Sequence, residues 1–479
     1  MWSGALLICV VALLLLRKFS RWLHKWYNPK CNGQLPPGSM GLPFIGETIE
    51  FFTPHSLNDI PPFISKRMKR YGAVFRTSLV GQKVIVSTDP EINYEIFQQE
   101  NKSFLLSYTE SFLEIFGQES LVKHHGMLHK YLKNLVLHLV SPENLKRNLL
   151  PEMDKATHKH LNSWAILGTM EVKEGSSEMI FEYIAKKLID YDEMNTSPNK
   201  KLRNNFQAFM DGLISFPLNI PGFAYHACLQ GRKNAHKVIK DKLNERRKLA
   251  SKSEKNYDFL DNLIEEVDNV DSILTEPIAI DLIFLLLFAS HETTSAAMTL
   301  AVKFIADHPQ VLEELTKEHE AILESRENKN SQLTWQEYKS MTFTHMVINE
   351  TARLANIVPG IFRKALTDVE MKGYTIPAGW SVMVVPAAVH LSPGKYDDPL
   401  QFNPWRWEGK ELHAGSKTFM AFGGGIRLCV GADFAKLQMA IFIHHMVTKY
   451  RWRVIKGGDI VRKPGLIFPN GLHIKISDK

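Results

Sequence analysis

The sequence is poor in cysteine and contains no paired arrangement of it. Among 479 residues the cysteines are Cys9, Cys31, Cys228 and Cys429, and no two of them form a Cys-x-x-Cys pair. Such wide separation argues against a disulfide framework and against a structural zinc site. What remains is a single cysteine with chemical surroundings of its own, so the neighbours of each cysteine become important.

The chain also lacks a Gly/Ser-rich linker, an internal repeat and a low-complexity tract. Hydrophobic residues make up 44% of it, which is a normal share for a globular core. Length alone suggests several domains, but nothing in the composition divides the chain. We therefore predict one large unit that is able to bury a big cofactor.

Charge of one sign does not dominate either. The formal net charge is +7, and the basic residues are spread over many segments without a nucleic-acid motif. A solvated surface is the simplest interpretation, and a contact face for anionic lipid or an acidic protein partner is the alternative. No nucleic-acid partner is predicted. Since flavin and nicotinamide fingerprints are also missing, any electrons must come from another protein.

The N-terminus carries the one long apolar run with basic flanks. Residues 1–16 have no charge, and sixteen residues is short of the about 20 expected of a spanning helix. Tilt and aromatic flanks make up the difference. The flanking residues are Arg17, Lys18, Arg21, Trp22, Lys25, Trp26 and Tyr27. A cleaved signal peptide, the alternative, has its positive charge before the run. We predict residues 1–27 to be a membrane anchor that leaves the body in the cytosol.

The segment after the anchor is rich in proline and glycine. Pro36, Pro37 and Pro43 stiffen it, and glycines between them let it turn. We predict residues 28–48 to be a fixed hinge, with an ordinary domain-entry loop as the alternative. Residues 49–479 then form the body of the protein.

Helical patterns dominate the body, and strand patterns are few. The strand signals lie at residues 74–88, 374–376, 381–385 and 471–476. The clearest helix begins at Thr275, with Pro277 in its first turn, and runs to His308. Its first half is apolar nearly all round, so it must cross the interior, yet residues 290–294 form a polar island in mid-span. The prediction is a mainly α protein with a small β portion.

The most specific signal is the stretch FMAFGGGIRLCVGADFAK at residues 419–436. Its fixed positions are Phe422, Gly425, Arg427, Cys429 and Gly431. A glycine-rich loop here enters a helix, whose N-terminal N–H groups and dipole favour a thiolate at Cys429. A phosphate-binding loop would need a Lys-Ser/Thr pair or dinucleotide glycine spacing, and neither is present. A buried inert cysteine is the other alternative.

This loop resembles the FxxGxRxCxG signature of the cytochrome P-450 superfamily at every fixed position. The resemblance implies the P-450 fold, haem b as the cofactor and Cys429 as the axial ligand of its iron. A thiolate ligand pushes electron density toward O–O cleavage. Phe422, Gly425 and Gly431 are then expected beside the cofactor, where glycine lets the backbone approach. Arg427 is expected to neutralise a propionate.

Two further motifs agree with this resemblance. Glu350 and Arg353 share one helix face, and with Arg406 they resemble the superfamily's Glu-Arg-Arg lock, which supports the haem loop. The polar island is similar to the oxygen-activation motif. Because monooxygenation consumes two protons, the implied role of Thr293 and Glu292 is proton delivery. A polar patch bonded to its own helix carbonyls is the alternative.

Some positions depart from the family pattern. For the propionates the resemblance suggests Arg363 together with Arg427. His129 and Lys133 stand where the family usually has a Trp/Arg pair, and both can donate hydrogen bonds. Ser290 replaces the usual glycine of the oxygen-activation motif.

The resemblance covers nearly the whole chain and is to a plant clan that oxidises sterols, brassinosteroids and triterpenoids. The branch it resembles contains triterpenoid hydroxylases and sterol side-chain-cleaving enzymes. It implies a monooxygenase of the endoplasmic reticulum membrane that takes electrons from NADPH-cytochrome reductase and oxidises a large lipophilic steroid or triterpenoid. The alternatives are a haem-thiolate isomerase or dehydratase, which tends to lose the threonine present here as Thr293, and a non-catalytic haem sensor, which would not need Glu292.

Apolar segments that are expected to line the pocket agree with a lipophilic ligand. They are residues 104–106, Leu213, Ile214, Phe216, Phe284, Phe288, Val358, Ile361, Phe362 and residues 466–468. Packing within the core is the alternative for each of them.

Overall fold

The computed structural model describes residues 2–57, 59–192, 202–213, 215, 217–250, 258–328, 331–410, 416–463 and 465–479. Two of the residues expected to line the pocket, Ile214 and Phe216, lie outside this part of the chain. The described chain is mainly helical, as predicted. The helices are α1 (Trp2–Tyr27), α2 (Thr48–Phe51), α3 (Pro62–Tyr71), α4 (Pro90–Gln98), α5 (Glu110–Phe116), α6 (Gly126–Leu139), α7 (Pro142–Asn144), α8 (Leu150–Leu167), α9 (Val172–Ile189), α10 (Leu202–Leu213), α11 (Ala224–Ala250), α12 (Phe259–Asp268), α13 (Glu276–Asp307), α14 (Pro309–Glu324), α15 (Trp335–Ser340), α16 (Thr342–Ala355), α17 (Pro386–His390) and α18 (Ala432–Lys449).

The strands form a minor part of the fold. They are β1 (His55–Ser56), β2 (Val74–Leu79), β3 (Gln82–Ser87), β4 (Phe104–Leu106), β5 (Thr169–Glu171), β6 (Ile361–Ala365), β7 (Val369–Met371), β8 (Tyr374–Ile376), β9 (Ser381–Val384), β10 (Tyr450–Gly457), β11 (Val461–Lys463), β12 (Gly465–Ile467) and β13 (Leu472–Asp478). The largest sheet has the order β2-β3-β9-β6-β4, and β3 and β9 pair in parallel. The other sheets have the orders β1-β11-β12, β10-β13-β5 and β7-β8. The hairpin predicted at residues 74–88 is β2 and β3.

The long helix α13 runs through the middle of the molecule. It is 32 residues long and starts after Thr275, with Pro277 in its first turn, as predicted. It packs against α9, α11, α16 and α18. In the part of the chain searched, it is the one helix long and apolar enough to cross a membrane, but 67% of its apolar window is buried. That burial identifies it as a core helix, which must be apolar on all sides.

The segment that follows α1 is attached to the large sheet. The backbone N–H of Arg76 donates to Pro37 O (2.8 Å) and its guanidinium donates to Pro36 O (3.0 Å). The rings of Trp22 and Phe44 stack with 5.0 Å between their centroids. These contacts join the proline- and glycine-rich segment to the body.

Helix α4 brings its C-terminal end to the cysteine loop. Asp89 caps its N-terminus by accepting from the N–H groups of Glu91 and Ile92, and Pro90 occupies the first turn. At the other end, Phe97 packs against the glycines of the loop. The residues just after α4 therefore lie beside the predicted cofactor site.

Candidate active site

The cysteine loop closes on itself just before α18. The N–H of Cys429 donates to Phe422 O at 2.9 Å, and the N–H of Gly431 faces the Cys429 sulfur. Burial raises the pKa of the thiol, whereas the Gly431 N–H and the Lys133 cation act in the opposite direction. The protein alone thus leaves the thiol protonated, and a metal cation at the sulfur would reverse this balance.

The Cys429 sulfur is both solvent-accessible and desolvated by the surrounding protein. The Cys429 side chain is exposed by accessible area, yet desolvation by surrounding protein is the main cause of its raised pKa. The sulfur is thus surrounded by protein and still accessible to another group.

The loop glycines have more than one role. A Cβ on Gly424 would lie 2.5 Å from the Phe97 ring, and one on Gly425, whose φ is +64°, would lie 2.2 Å from Phe97 O. These two glycines allow the loop to pack against α4. Gly431 differs, because its Cβ would lie 4.0 Å from the Cys429 sulfur. Of the predicted glycines, Gly431 is therefore the one beside the sulfur.

Arg363 lies in β6 and is buried, with 1% of its side chain exposed. Its Nε is 2.5 Å from Glu100 Oε2, and its Nη1 donates to Phe362 O at 2.9 Å. The Nε–Oε2 pair is close but misaligned, so neither atom makes a proper hydrogen bond. Both atoms retain the capacity to bond another group.

Arg427 meets the same carboxylate from the other side. Its Nε is 3.3 Å from Glu100 Oε1. Its other partners are Leu121 O (3.3 Å), His124 O (2.6 Å) and His125 Nδ1 (2.9 Å). Burial lowers the pKa of Arg427, and Glu100 partly offsets that effect. Two buried guanidiniums thus share one carboxylate, and this excess of positive charge fits the propionates of a haem.

His129 and Lys133 lie one turn apart on α6. The Lys133 ammonium donates to Ile426 O, in the cysteine loop, at 2.8 Å. Burial lowers the pKa of His129 to about 4, with Arg427 and Lys133 as further causes. His129 is therefore neutral near pH 7 and can donate one hydrogen bond but no charge. The structure places both predicted residues next to the loop.

Two residues of the polar island of α13, Thr293 and Glu292, have different kinds of partner. The Thr293 hydroxyl donates to Ala289 O at 2.8 Å, the bonding to the helix backbone that was the alternative expectation. The Glu292 carboxylate forms an ion pair with Lys173 of α9 at 2.7 Å. Lys173 was not found from the sequence, because nothing in its neighbourhood indicates a partner 119 residues away.

Ser290 and His291 are bonded to the same helix. The Ser290 hydroxyl donates to Leu287 O at 3.1 Å, and His291 Nδ1 lies 2.6 Å from that oxygen. Burial lowers the pKa of His291 to about 4. His291 also packs edge-on against Phe181 at 5.0 Å. It is a neutral core histidine.

Glu350 is the centre of the predicted lock. Its carboxylate is fully buried and contacts Arg353 (2.8 Å) and Arg406 (2.9 Å). The Trp407 indole donates to it at 2.9 Å and the Asn403 N–H at 3.0 Å. A buried carboxylate with this many donors has its desolvation cost offset. Three of the partners of Glu350, namely Asn403, Arg406 and Trp407, thus come from the stretch FNPWRW at residues 402–407.

His390 connects the lock to the cysteine loop, and sequence reasoning missed it. Its Nε2 accepts from the Met420 N–H at 3.0 Å, and its Nδ1 donates to Asn356 Oδ1 at 2.7 Å. Its carbonyl accepts from Arg353 at 2.6 Å. Burial lowers the pKa of His390 to about 3, so the ring is neutral and can keep both bonds. A lone histidine in an apolar stretch gives no sequence signal for this role.

An aromatic wall extends from the arginines toward α13. Tyr108 stacks on Phe112 at 4.3 Å, Phe112 lies 4.5 Å from Phe116, and Phe116 meets Phe288 at 5.6 Å. Phe362 lies 6.0 Å from Tyr108. Of the predicted lining residues, Phe288 and Phe362 belong to this wall. Phe284 packs instead among the core rings of α10, and Tyr108, Phe112 and Phe116 were not predicted.

The model of the family described as Cytochrome P450 matches residues 36–473. The chain belongs to this family. It is similar to Cytochrome P450 87A3 of Oryza sativa subsp. japonica (57% identity, 96% of this chain and 89% of that one). It is also similar to beta-amyrin 16-alpha-hydroxylase of Maesa lanceolata (40%, with 100% of both chains) and to cholesterol 22-hydroxylase of Paris polyphylla (40%, 94% and 95%).

Among solved structures, this P450 is similar to retinoic acid bound cyanobacterial CYP120A1. The TM-score is 0.81 at 25% identity, over 94% of this chain and 100% of that one. The predicted P450 fold is thereby confirmed, as is the predicted resemblance to plant hydroxylases. The cofactor is haem b, and the enzyme is a dioxygen-dependent monooxygenase that needs a redox partner. The isomerase and sensor alternatives are set aside.

Proposed function

We propose that this P450 hydroxylates a triterpenoid or sterol on its ring system or side chain. The observation that carries the proposal is the match over nearly the full chain to hydroxylases of beta-amyrin and cholesterol. The aromatic wall supports it, because flat rings suit a rigid, apolar polycycle. Burial of apolar surface contributes about 25 cal/mol per Å² before the costs of binding are subtracted. Such a ligand therefore gains most of its binding free energy from the apolar area that it buries.

The proposed cofactor site follows from the geometry. Haem b, when bound, supplies the activation of dioxygen. Cys429 would be the iron ligand, with Phe422 and Gly431 beside the sulfur and Gly425 shaping the loop. The propionate partners would be Arg363, Arg427, His129 and Lys133. The buried excess of positive charge and the unsatisfied Arg363 Nε support this assignment.

Thr293 and Glu292 are the proposed proton-delivery residues. The Thr293 hydroxyl donates a hydrogen bond to Ala289 O in this structure. It would rotate toward the substrate and hold a proton there. The Glu292 carboxylate would accept protons from the Lys173 side and pass them on through water. Glu350, Arg353 and Arg406 would act by supporting the loop.

We propose NADPH-cytochrome reductase as the electron donor. The surface nearest Cys429 would be the docking face, because electrons reach the iron over the shortest path there. Lys133 is half-buried and held by Ile426 O. The Lys436 ammonium is largely desolvated and lies 5.6 Å from the centroid of the Phe422 ring. Lys436 therefore suits packing under the loop better than docking.

The proposed location is the endoplasmic reticulum membrane, with residues 1–27 as a single anchor and the body in the cytosol. The side chains of Leu13 and Leu16 on α1 are 65% and 61% exposed. Phe44, which stacks on Trp22 of α1, and Ile49 of α2 are 73% and 71% exposed. An apolar surface continuous with an apolar helix suits a lipid surface.

The test of the substrate class is the spin-state shift of the purified haem protein. It is titrated separately with a pentacyclic triterpene, cholesterol, a long-chain fatty acid and a small phenol. The triterpene or cholesterol should convert iron to high spin at micromolar levels. Phe112→Ala should weaken that response about tenfold, since loss of the ring removes apolar contact worth about 1.5–3 kcal/mol at most. Phe259→Ala, away from the wall, is the control. A shift with the phenol or fatty acid alone would overturn the substrate class.

A further inference from the structure

Glu100 has no part in the predicted site, yet it lies at the centre of the propionate region. It follows α4 directly, and its side chain is 1% exposed. Oε1 accepts from the Leu106 N–H at 3.0 Å, which fixes the carboxylate to the end of β4. Its two oxygens then face Arg427 and Arg363, one each. A carboxylate buried this deeply needs a reason, because its desolvation is costly.

The charges around Glu100 can be counted from the described side chains. Arg363 and Arg427 contribute two positive charges, and Glu100 contributes one negative charge. Burial lowers the pKa of His125 and of His129, so both are neutral near pH 7. Burial raises the pKa of Tyr108, which is therefore neutral as well. The two arginines and Glu100 together carry one net positive charge, where the arginines alone would give two, and the Lys133 ammonium on Ile426 O adds one more beside Arg427.

The contact between Arg363 and Glu100 is an ion pair rather than a well-aligned hydrogen bond. Arg363 Nε and Glu100 Oε2 lie 2.5 Å apart without hydrogen-bond alignment, so the N–H of Arg363 Nε remains available to another acceptor. Arg427 is anchored by backbone oxygens of the loop before α6, so it cannot move toward Glu100 freely. Glu100 therefore holds the two guanidiniums together without using all of their donors.

We propose that Glu100 is a positioning residue that spaces Arg363 and Arg427 for the haem propionates and offsets one of the positive charges there. It acts through the arginines and touches no substrate. The inference rests on the proposed roles of these arginines. Because positive charge near the iron favours the reduced state, the Glu100 carboxylate keeps the reduction potential of the haem low.

The experiment measures the midpoint potential of substrate-free haem protein by spectroelectrochemical titration. Glu100→Gln keeps the shape and an acceptor for the Leu106 N–H but removes the charge. Its potential should move to more positive values. Glu100→Asp, which keeps the charge, should restore the wild-type potential. Glu91→Gln is the matched control, because Glu91 is an exposed residue of α4 that pairs with Lys417 and loses the same charge.

A wild-type potential in Glu100→Gln would overturn the proposal, and so would an equal shift in Glu91→Gln. If Glu100→Gln does not retain haem, Glu100→Asp takes its place, because it keeps the charge and only shortens the side chain. Its potential should match that of wild type, and a shifted potential in Glu100→Asp would contradict the proposal. No substrate is present, so failure here leaves the proposed substrate class untouched.

Discussion

Thr293 differs from the other hydroxyl residues of α13 in its surroundings rather than in its hydrogen bond. Thr299 donates to Ser295 O at 2.7 Å, as Thr293 donates to Ala289 O at 2.8 Å. Thr299 is fully buried, whereas Thr293 is half-buried and can present its hydroxyl to a ligand. Hydrogen bonding to the helix backbone is therefore compatible with a functional role at Thr293 and with a structural one at Thr299.

Replacement of Thr293 tests that distinction. Thr293→Ala should keep haem and substrate binding, but product formed per NADPH should fall roughly tenfold or more, because positioned proton transfer contributes about 10²–10⁴-fold. The lost electrons should be recovered as hydrogen peroxide. Thr299→Ala removes the same kind of backbone bond elsewhere on α13 and should leave the ratio of product to NADPH unchanged. Equal ratios in wild type and Thr293→Ala would rule out the role.

Some residues of the candidate site could be predicted from the sequence and others could not. Cys429, Glu350 and Arg427 were found because their local spacing is specific. Lys173 and His390 were not, because each acts on a partner far along the chain. Lys173 pairs with Glu292, which is 119 residues away in the sequence, and His390 accepts a hydrogen bond from Met420 in another loop. Both contacts depend on tertiary packing, which the spacing of residues in the sequence does not reveal.

At the scale of elements, helix α1 is largely exposed, whereas the body is stabilised by its own buried core. The side chains of α1 from Val10 to Leu16 are largely exposed, so its stability depends on its surroundings. The contacts of Pro36 and Pro37 with Arg76 belong to the large sheet instead. The main core of the body lies in α13, α18 and their neighbours, whereas Trp26 near the end of α1 packs against a smaller core cluster that includes Ile85 and Phe97. We therefore expect the anchor to be separable apart from the contacts of Trp22 and Trp26.

Deletion of residues 1–27 should therefore release much of the protein from membranes and leave the haem spectrum intact. The body folds around its own core, so little stability should be lost. Some membrane binding should persist through the exposed apolar residues near Phe44 and Phe223. Fractionation of deleted and full-length chains, with haem content measured in each fraction, checks this. Loss of folded haem protein on deletion would show that the anchor is part of the fold.

At the scale of the whole molecule, the architecture was predictable where the pattern is periodic. The long apolar helix α13, the hairpin of β2 and β3 and the helix after Cys429 each have a clear local signal, and each was confirmed. The order of the strands in the large sheet was not predictable, because β3, β6 and β9 come together from distant segments. The aromatic wall depends on that assembly, which explains why Tyr108 and Phe112 were missed.

The central claim is that Cys429 is the thiolate ligand of a monooxygenase haem. The most direct measurement is the spectrum of the reduced carbonyl complex, because sulfur donation moves its Soret band unusually far to the red. Wild type and Cys31→Ala, which changes a cysteine far from the loop, should show the red-shifted band and turn over substrate. Cys429→Ala should lack the band and all turnover. A red-shifted band that persists in Cys429→Ala would contradict the account.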